Sequence, residues 1–124
     1  MTRLTRIGQI AVVVHDLPRA VAFYRDTLGM PLLFEAPPTM AFFDCSGVRL
    51  MLSQPSSPDF DHPIILYFTV EDIQAAVADL TGRGVVFIEA PHVVARLPHA
   101  DLWMGAFRDP DGNYLHVMSE VKRS

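Results

Sequence analysis

From Ile7 to Val14 the chain is β-branched and almost wholly apolar, which predicts a strand covered on both faces. Ile10, Val12 and Val14 take one face of it, and Gln9, Ala11 and Val13 the other, because strand side chains alternate. The period then changes. Leu17, Val21, Tyr24 and Leu28 recur at helical spacing, Asp16 is placed to cap, Pro18 suits the first turn and Gly29 ends the run, predicting a helix over Pro18 to Gly29. Pro31 to Glu35, Met40 to Asp44 and Val48 to Ser53 return to short β-type runs, the last two joined by a turn at Ser46-Gly47. Ser53 to Pro63, rich in Pro, Ser and Asp, reads as a connector. Beyond it the pattern starts again. A strand over Ile64 to Val70 leads into a helix over Gln74 to Gly84, capped by Asp72 or Glu71, with Ile73, Ala76, Val77 and Leu80 as its buried stripe. Strands over Val85 to Glu89, Leu102 to Arg108 and Tyr114 to Ser119 follow, the last two joined by the Pro-Gly turn Asp109 to Asn113.

The two halves repeat one another. QIAVVVHDL (Gln9 to Leu17) is echoed by ILYFTVEDI (Ile65 to Ile73), and DCSGVRLML (Asp44 to Leu52) by DPDGNYLHV (Asp109 to Val117). Duplicated units of this length cannot each bury their own apolar face, so the expectation is an α+β fold in which two βαβββ modules, about 7–53 and 64–119, form a curled mixed sheet around a cleft.

Bulk properties narrow the function classes. At 124 residues the chain is of single-domain size, and one cysteine excludes an intramolecular disulfide framework. With no secretion-type segment at the N-terminus, the expectation is a cytoplasmic protein. No apolar run is long enough for a membrane span, and a net charge of −4 with interspersed signs gives no basic stripe, so neither membrane nor nucleic acid is an expected partner. No Ser-centred elbow, phosphate loop or paired-cysteine zinc motif occurs. Cys45, in a turn without basic neighbours, is a poor nucleophile.

The paired βαβββ pattern, the opening QIAVVVHDL…AVAFYRDTLGM, the second VEDIQAAVADLTGRGV and the closing FRDPDGNYLHVM resemble the vicinal oxygen chelate superfamily, which includes glyoxalase I, bleomycin resistance proteins, extradiol dioxygenases and methylmalonyl-CoA epimerase. The resemblance spans nearly the whole chain. It implies that metal-dependent members hold a divalent ion with four inward side chains, one from the first and one from the last strand of each half. The internal repeat puts those positions at Gln9, Met51, Ile65 and His116. Ile65 cannot ligate, and the Met51 thioether suits a soft ion rather than Mg, Mn, Fe, Ni or Zn. No metal ligands and no cofactor are therefore assigned. The alternative is a divalent metal in a non-standard set of His116, Gln9 and one of the histidines, His92 or His99, that lie with Asp101 in a loop from Pro91 to Asp101.

His116 is the candidate base, or else a hydrogen-bonded core residue; Gln9 would orient a ligand. Arg49 shares a strand face with Met51, and either pairs with an anionic group such as a carboxylate or is a solvated strand-end charge. Its repeat counterpart is Tyr114. Tyr67 shares the cavity-facing parity of Ile65, and Trp103 and Phe107 crowd the sheet nearby, so Gln9, Arg49, Met51, Ile65, Tyr67, Trp103, Phe107 and Tyr114 form the expected ligand-binding set. The expected function is glyoxalase- or bleomycin-resistance-like binding of a small molecule in an apolar, aromatic cleft without the standard metal site, in a homodimer as the resemblance implies. The competing readings are a metal-dependent lyase, isomerase or dioxygenase, and a purely structural domain.

Overall fold

The computed structural model describes residues 1–123. It has the expected α+β class, and the chain divides into two compact units, Met1–Pro63 and Ile64–Ser124.

In the first unit β1 (Gln9–Val13), β2 (Leu32–Ala36), β3 (Met40–Cys45) and β4 (Val48–Ser53) form a mixed sheet in the order β1-β4-β3-β2, with β1 parallel to β4 and the rest antiparallel. Helix α1 (Leu17–Ala22) starts at Asp16, whose carboxylate accepts from Arg19 N at 3.1 Å, the expected cap. The helix is shorter than its apolar stripe suggested. After Ala22 the backbone widens into a π-helical turn, Phe23–Thr27, closed by Leu28 N donating to Phe23 O at 3.0 Å. That widening keeps Tyr24 fully buried, edge-on to Phe23 at 5.6 Å and tilted against Phe43 at 6.1 Å. Val12, Leu50, Leu52, Ala41 and Phe43 fill the helix side of this sheet. Between β3 and β4, Ser46 (φ 51) and Gly47 (φ 92) both take left-handed conformations, and Asp44 accepts from Gly47 N at 3.0 Å.

The second unit repeats the plan. β5 (Ile65–Thr69), β6 (Phe87–Arg96), β7 (Asp101–Arg108) and β8 (Tyr114–Val121) are ordered β5-β8-β7-β6, with β5 parallel to β8. Helix α2 (Ile73–Gly82) is capped by Asp72, whose side chain accepts from Ala75 N at 3.0 Å. Of its predicted stripe only Ile73 is fully buried. β6 runs seven residues past the predicted end at Glu89, so His92 lies in a strand rather than a loop. Pro91 and the register shifts after Phe87, Glu89 and Val93 break the alternation that marks a strand, and a sheet edge is where a proline is tolerated.

The turn before β8 is the polar anchor of this unit. Asp109 and Asn113 are buried; Asp109 accepts from Asp111 N and Asn113 N at 2.9 Å each and from Asn113 Nδ2 at 2.8 Å. Asn113 Oδ1 accepts from Ile64 N at 2.8 Å, and Tyr114 N donates to Ile64 O at 3.0 Å. These bonds seat the start of β5 beside β8 and fix the pairing of Ile65 with Tyr114 and Tyr67 with His116. Among the described residues, no helix is long and apolar enough to cross a membrane.

Candidate functional site

Each sheet has a face turned away from its helix, and strand parity decides which side chains reach it. In the first unit β1 and β4 pair Gln9 with Arg49, Ala11 with Met51 and Val13 with Ser53, while β3 adds Phe42 opposite Met51. Paired residues share a face, so Gln9, Arg49, Met51 and Phe42 come together as the strand phase requires. Arg49 Nε donates to Gln9 Oε1 at 2.7 Å. Because a guanidinium only donates, that bond fixes which end of the amide faces it, and Gln9 Nε2 is left pointing at Met51 Sδ, 3.8 Å away. The Arg49 guanidinium also lies over the Phe42 ring, 5.2 Å from its centroid, and Phe42 stacks on Phe34 at 4.5 Å.

In the second unit the helix-free face carries Ile65, Tyr67, Tyr114, His116 and Arg108. Ile65 and Tyr67 are 60% and 50% exposed, a large apolar surface to leave on a sheet. His116 stacks on Tyr67 at 4.4 Å and lies 6.4 Å from Tyr114. Its Nδ1 is buried and has no hydrogen-bond partner among the described residues. A neutral imidazole with its proton on Nε2 leaves only an acceptor lone pair at that buried position, so Nε2 is the nitrogen able to donate. Arg108 lies over the Tyr114 ring at 4.8 Å and donates from Nη2 to its hydroxyl at 2.7 Å.

Trp103 and Phe107 are placed otherwise. β7 pairs them with Ser119 and Leu115, on the helix side of the second sheet. Phe107 is buried edge-on to Phe87 at 5.2 Å, and Trp103 lines a groove of about 460 Å³ with Glu71, Ile73 and Glu120. Arg108, Phe42 and Phe34 were absent from the expected set. Arg108 could have been found by counting across the Asp109 to Asn113 turn, which sets it opposite Tyr114.

The donor chemistry of the four metal-type positions does not fit a hard divalent ion. In the first unit the amide oxygen of Gln9 is occupied by Arg49 and its neighbour is a thioether; in the second, Ile65 offers no donor and His116 a single imidazole. Among the described residues, no group of three or more His, Cys, Asp or Glu is set to hold a metal. His99 is engaged with Glu120 at 2.8 Å and His92 Nδ1 with Ala90 O at 2.8 Å. Cys45 lies on the helix side of β3; burial first and then the charge of Asp44 push its thiol above the ordinary value of 9.0, which keeps it protonated at neutral pH.

The family model described as Glyoxalase/Bleomycin resistance protein/Dioxygenase superfamily matches residues 6–117. The chain belongs to that superfamily. The protein called YraH of Bacillus subtilis (strain 168), described as uncharacterised, is 29% identical over 90% of this chain and 96% of its own. Among solved structures, a lactoylglutathione lyase from Agrobacterium tumefaciens is similar at 26% identity and a TM-score of 0.73, over 94% of this chain and 95% of that one. An antibiotic binding protein from a Streptomyces species has the same fold, with a TM-score of 0.77 at 24% identity over 97% of this chain and 99% of that one. The same fold thus carries a binding protein and an enzyme, and what one chain does must be read from its site residues.

Proposed function

We propose that this superfamily member is a small-molecule-binding protein that works without the standard metal site, taking an apolar or aromatic ligand on the helix-free sheet surfaces. The observation that carries the reading is the contact of Gln9 with Met51. At two positions where the resemblance calls for metal ligands stand a thioether and an amide whose oxygen is already bonded to Arg49. Phe42 and Phe34 on the helix-free face of the first unit, and Tyr67 and Tyr114 on that of the second, each supply aromatic surface of the kind that ligand sites use for affinity. That the same fold serves an antibiotic binding protein in Streptomyces supports sequestration as a task this scaffold performs. The protein is read as a cytoplasmic homodimer.

A second reading rests on His116, whose buried and unpartnered Nδ1 leaves an imidazole free to hold or move a proton, or to enter a non-standard ligand set. One pair of measurements separates the two. Titration with aromatic and polyketide-like compounds, followed by calorimetry and melting temperature, is expected to give saturable shifts. Elemental analysis of protein purified without chelators is expected to find no stoichiometric metal. Stoichiometric Ni, Zn, Fe or Mn that disappears in His116→Ala would overturn the binding-protein reading in favour of the enzyme.

A further inference from the structure

We infer that the ligand of the first unit's helix-free face is a small aromatic carboxylate, held by the two Nη groups of Arg49 with its ring on the apolar floor beside them. This inference rests on the small-molecule reading above and narrows it to a chemical class.

Three features of Arg49 point there. Its orientation is set by the protein: Nε is bonded to Gln9 Oε1 at 2.7 Å, and the guanidinium rests over the Phe42 ring at 5.2 Å. Among the described residues its guanidinium makes no ion pair. Asp44, opposite it across the β3–β4 pairing, turns its carboxylate to Gly47 N at 3.0 Å, and among the described residues the Arg49 Nη groups meet no acceptor. Its surroundings are apolar on one side, where Phe42, Met51 and Ala11 share its face and Phe34 extends the aromatic surface.

A guanidinium held by Nε and by an aromatic ring presents its Nη pair as a fork, and a fork of N–H donors matches the two oxygens of a carboxylate. An arginine already oriented loses little further side-chain freedom on binding, which is where an exposed charge pair ordinarily forfeits its gain. The floor selects the rest of the molecule. On the side of Phe42, Met51 and Ala11 the surface beside the fork is carbon and thioether sulfur, so the group attached to the carboxylate is expected to be hydrocarbon there, and a ring covers that area with the fewest rotors to immobilise. The second unit differs at the corresponding place. There Arg108 spends Nη2 on the Tyr114 hydroxyl, so it offers no comparable open pair of donors.

The test compares naphthoate with its uncharged amide by calorimetry on the full chain, in wild type and in Arg49→Met, Arg49→Lys and Gln9→Leu. Wild type is expected to prefer naphthoate by about tenfold or more, the size of a well-formed charge-assisted pair. Arg49→Met keeps an apolar stem, and should abolish that preference by weakening naphthoate far more than the amide. Arg49→Lys keeps the charge without the fork and should retain only part of the preference, and Gln9→Leu should weaken naphthoate alone. Equal binding of naphthoate and its amide in wild type, or a preference that survives in Arg49→Met, overturns the inference while leaving the small-molecule reading standing. Failure of naphthoate, its amide and the wider aromatic panel to bind overturns both. Circular dichroism on each variant confirms that an altered affinity is not lost folding.

Discussion

Replacing Asn113 by alanine should loosen the second unit at the point where β5 is tied to β8. The side chain is fully buried and makes two bonds there: Nδ2 donates to the Asp109 carboxylate at 2.8 Å, and Oδ1 accepts from Ile64 N at 2.8 Å. A neutral bond is worth roughly 1 kcal/mol net and one to a carboxylate about 1.5–3, and the Ile64 N–H left behind loses its only acceptor among those bonds. Non-additivity keeps the total below the simple sum, so the expected cost is about 3 kcal/mol, or roughly 10 °C in melting temperature for a chain of this size. Urea denaturation followed by both far-ultraviolet circular dichroism and Trp103 fluorescence measures it, since Trp103 lies in β7 of the same unit. Amide exchange should accelerate at Ile64 and Tyr114 ahead of the β7 core, because Ile64 N donates to the asparagine and Tyr114 N to Ile64 O beside the register pair of Ile65 and Tyr114. A loss below about 0.5 kcal/mol, with unchanged exchange at Ile64, would refute the claim that this turn pins β5.

Three further outcomes follow from local geometry and electrostatics. Ser46 sits at φ 51 beside Gly47, so Ser46→Gly should raise the melting temperature slightly, by an amount corresponding to about 0.5–1 kcal/mol of relieved strain less the added chain entropy; a clear decrease would show that the hydroxyl matters more than the backbone. Cys45 has its thiol pushed above 9.0 by burial and then by Asp44, so the folded chain keeps a proton that the unfolded chain sheds. Its contribution to stability is therefore complete below the unfolded value and is lost as pH rises through the folded one, and Cys45→Ala should flatten the decline in stability above about pH 9. Alkylation of Cys45 by iodoacetamide at pH 7.5 should run slower than that of a free thiol, as read by mass spectrometry.

The fold was legible because its signals are local and redundant. Two runs of β-branched residues, each followed by a capped helical stripe, sufficed to place β1, α1, β5 and α2; Asp16 caps where the pattern put it, and of Asp72 and Glu71 it is Asp72 that caps α2. The departures have particular causes. The π-helical turn at Phe23–Thr27 follows from seating Tyr24 against Phe43, a tertiary contact that leaves no mark on the spacing of apolar residues. The outer half of β6 was hidden by Pro91 and three register shifts, each of which cancels the period by which a strand is read.

Within the candidate site, strand parity decides which face a residue takes and nearness in sequence does not. Gln9, Arg49, Met51, Ile65, Tyr67, Tyr114 and His116 were selected by counting along strands, and each lies on the helix-free face of its own sheet. Trp103 and Phe107 were grouped with them as aromatics on a neighbouring strand, yet Ala106 is the residue that pairs with His116, so the odd-numbered positions of β7 turn to the helix. The same count exposes a regularity that composition hides. Each unit carries an arginine over an aromatic ring across its two central strands, but with the roles exchanged: cation on β4 and ring on β3 in the first, cation on β7 and ring on β8 in the second. Duplication has kept the pair while changing which donors it leaves open. In the first unit the ring is a phenylalanine that takes no hydrogen bond, so Arg49 retains its Nη groups; in the second the tyrosine hydroxyl draws one from Arg108. One hydroxyl thus separates an arginine whose Nη groups stay open from one already partly satisfied, an asymmetry between otherwise matching sheets.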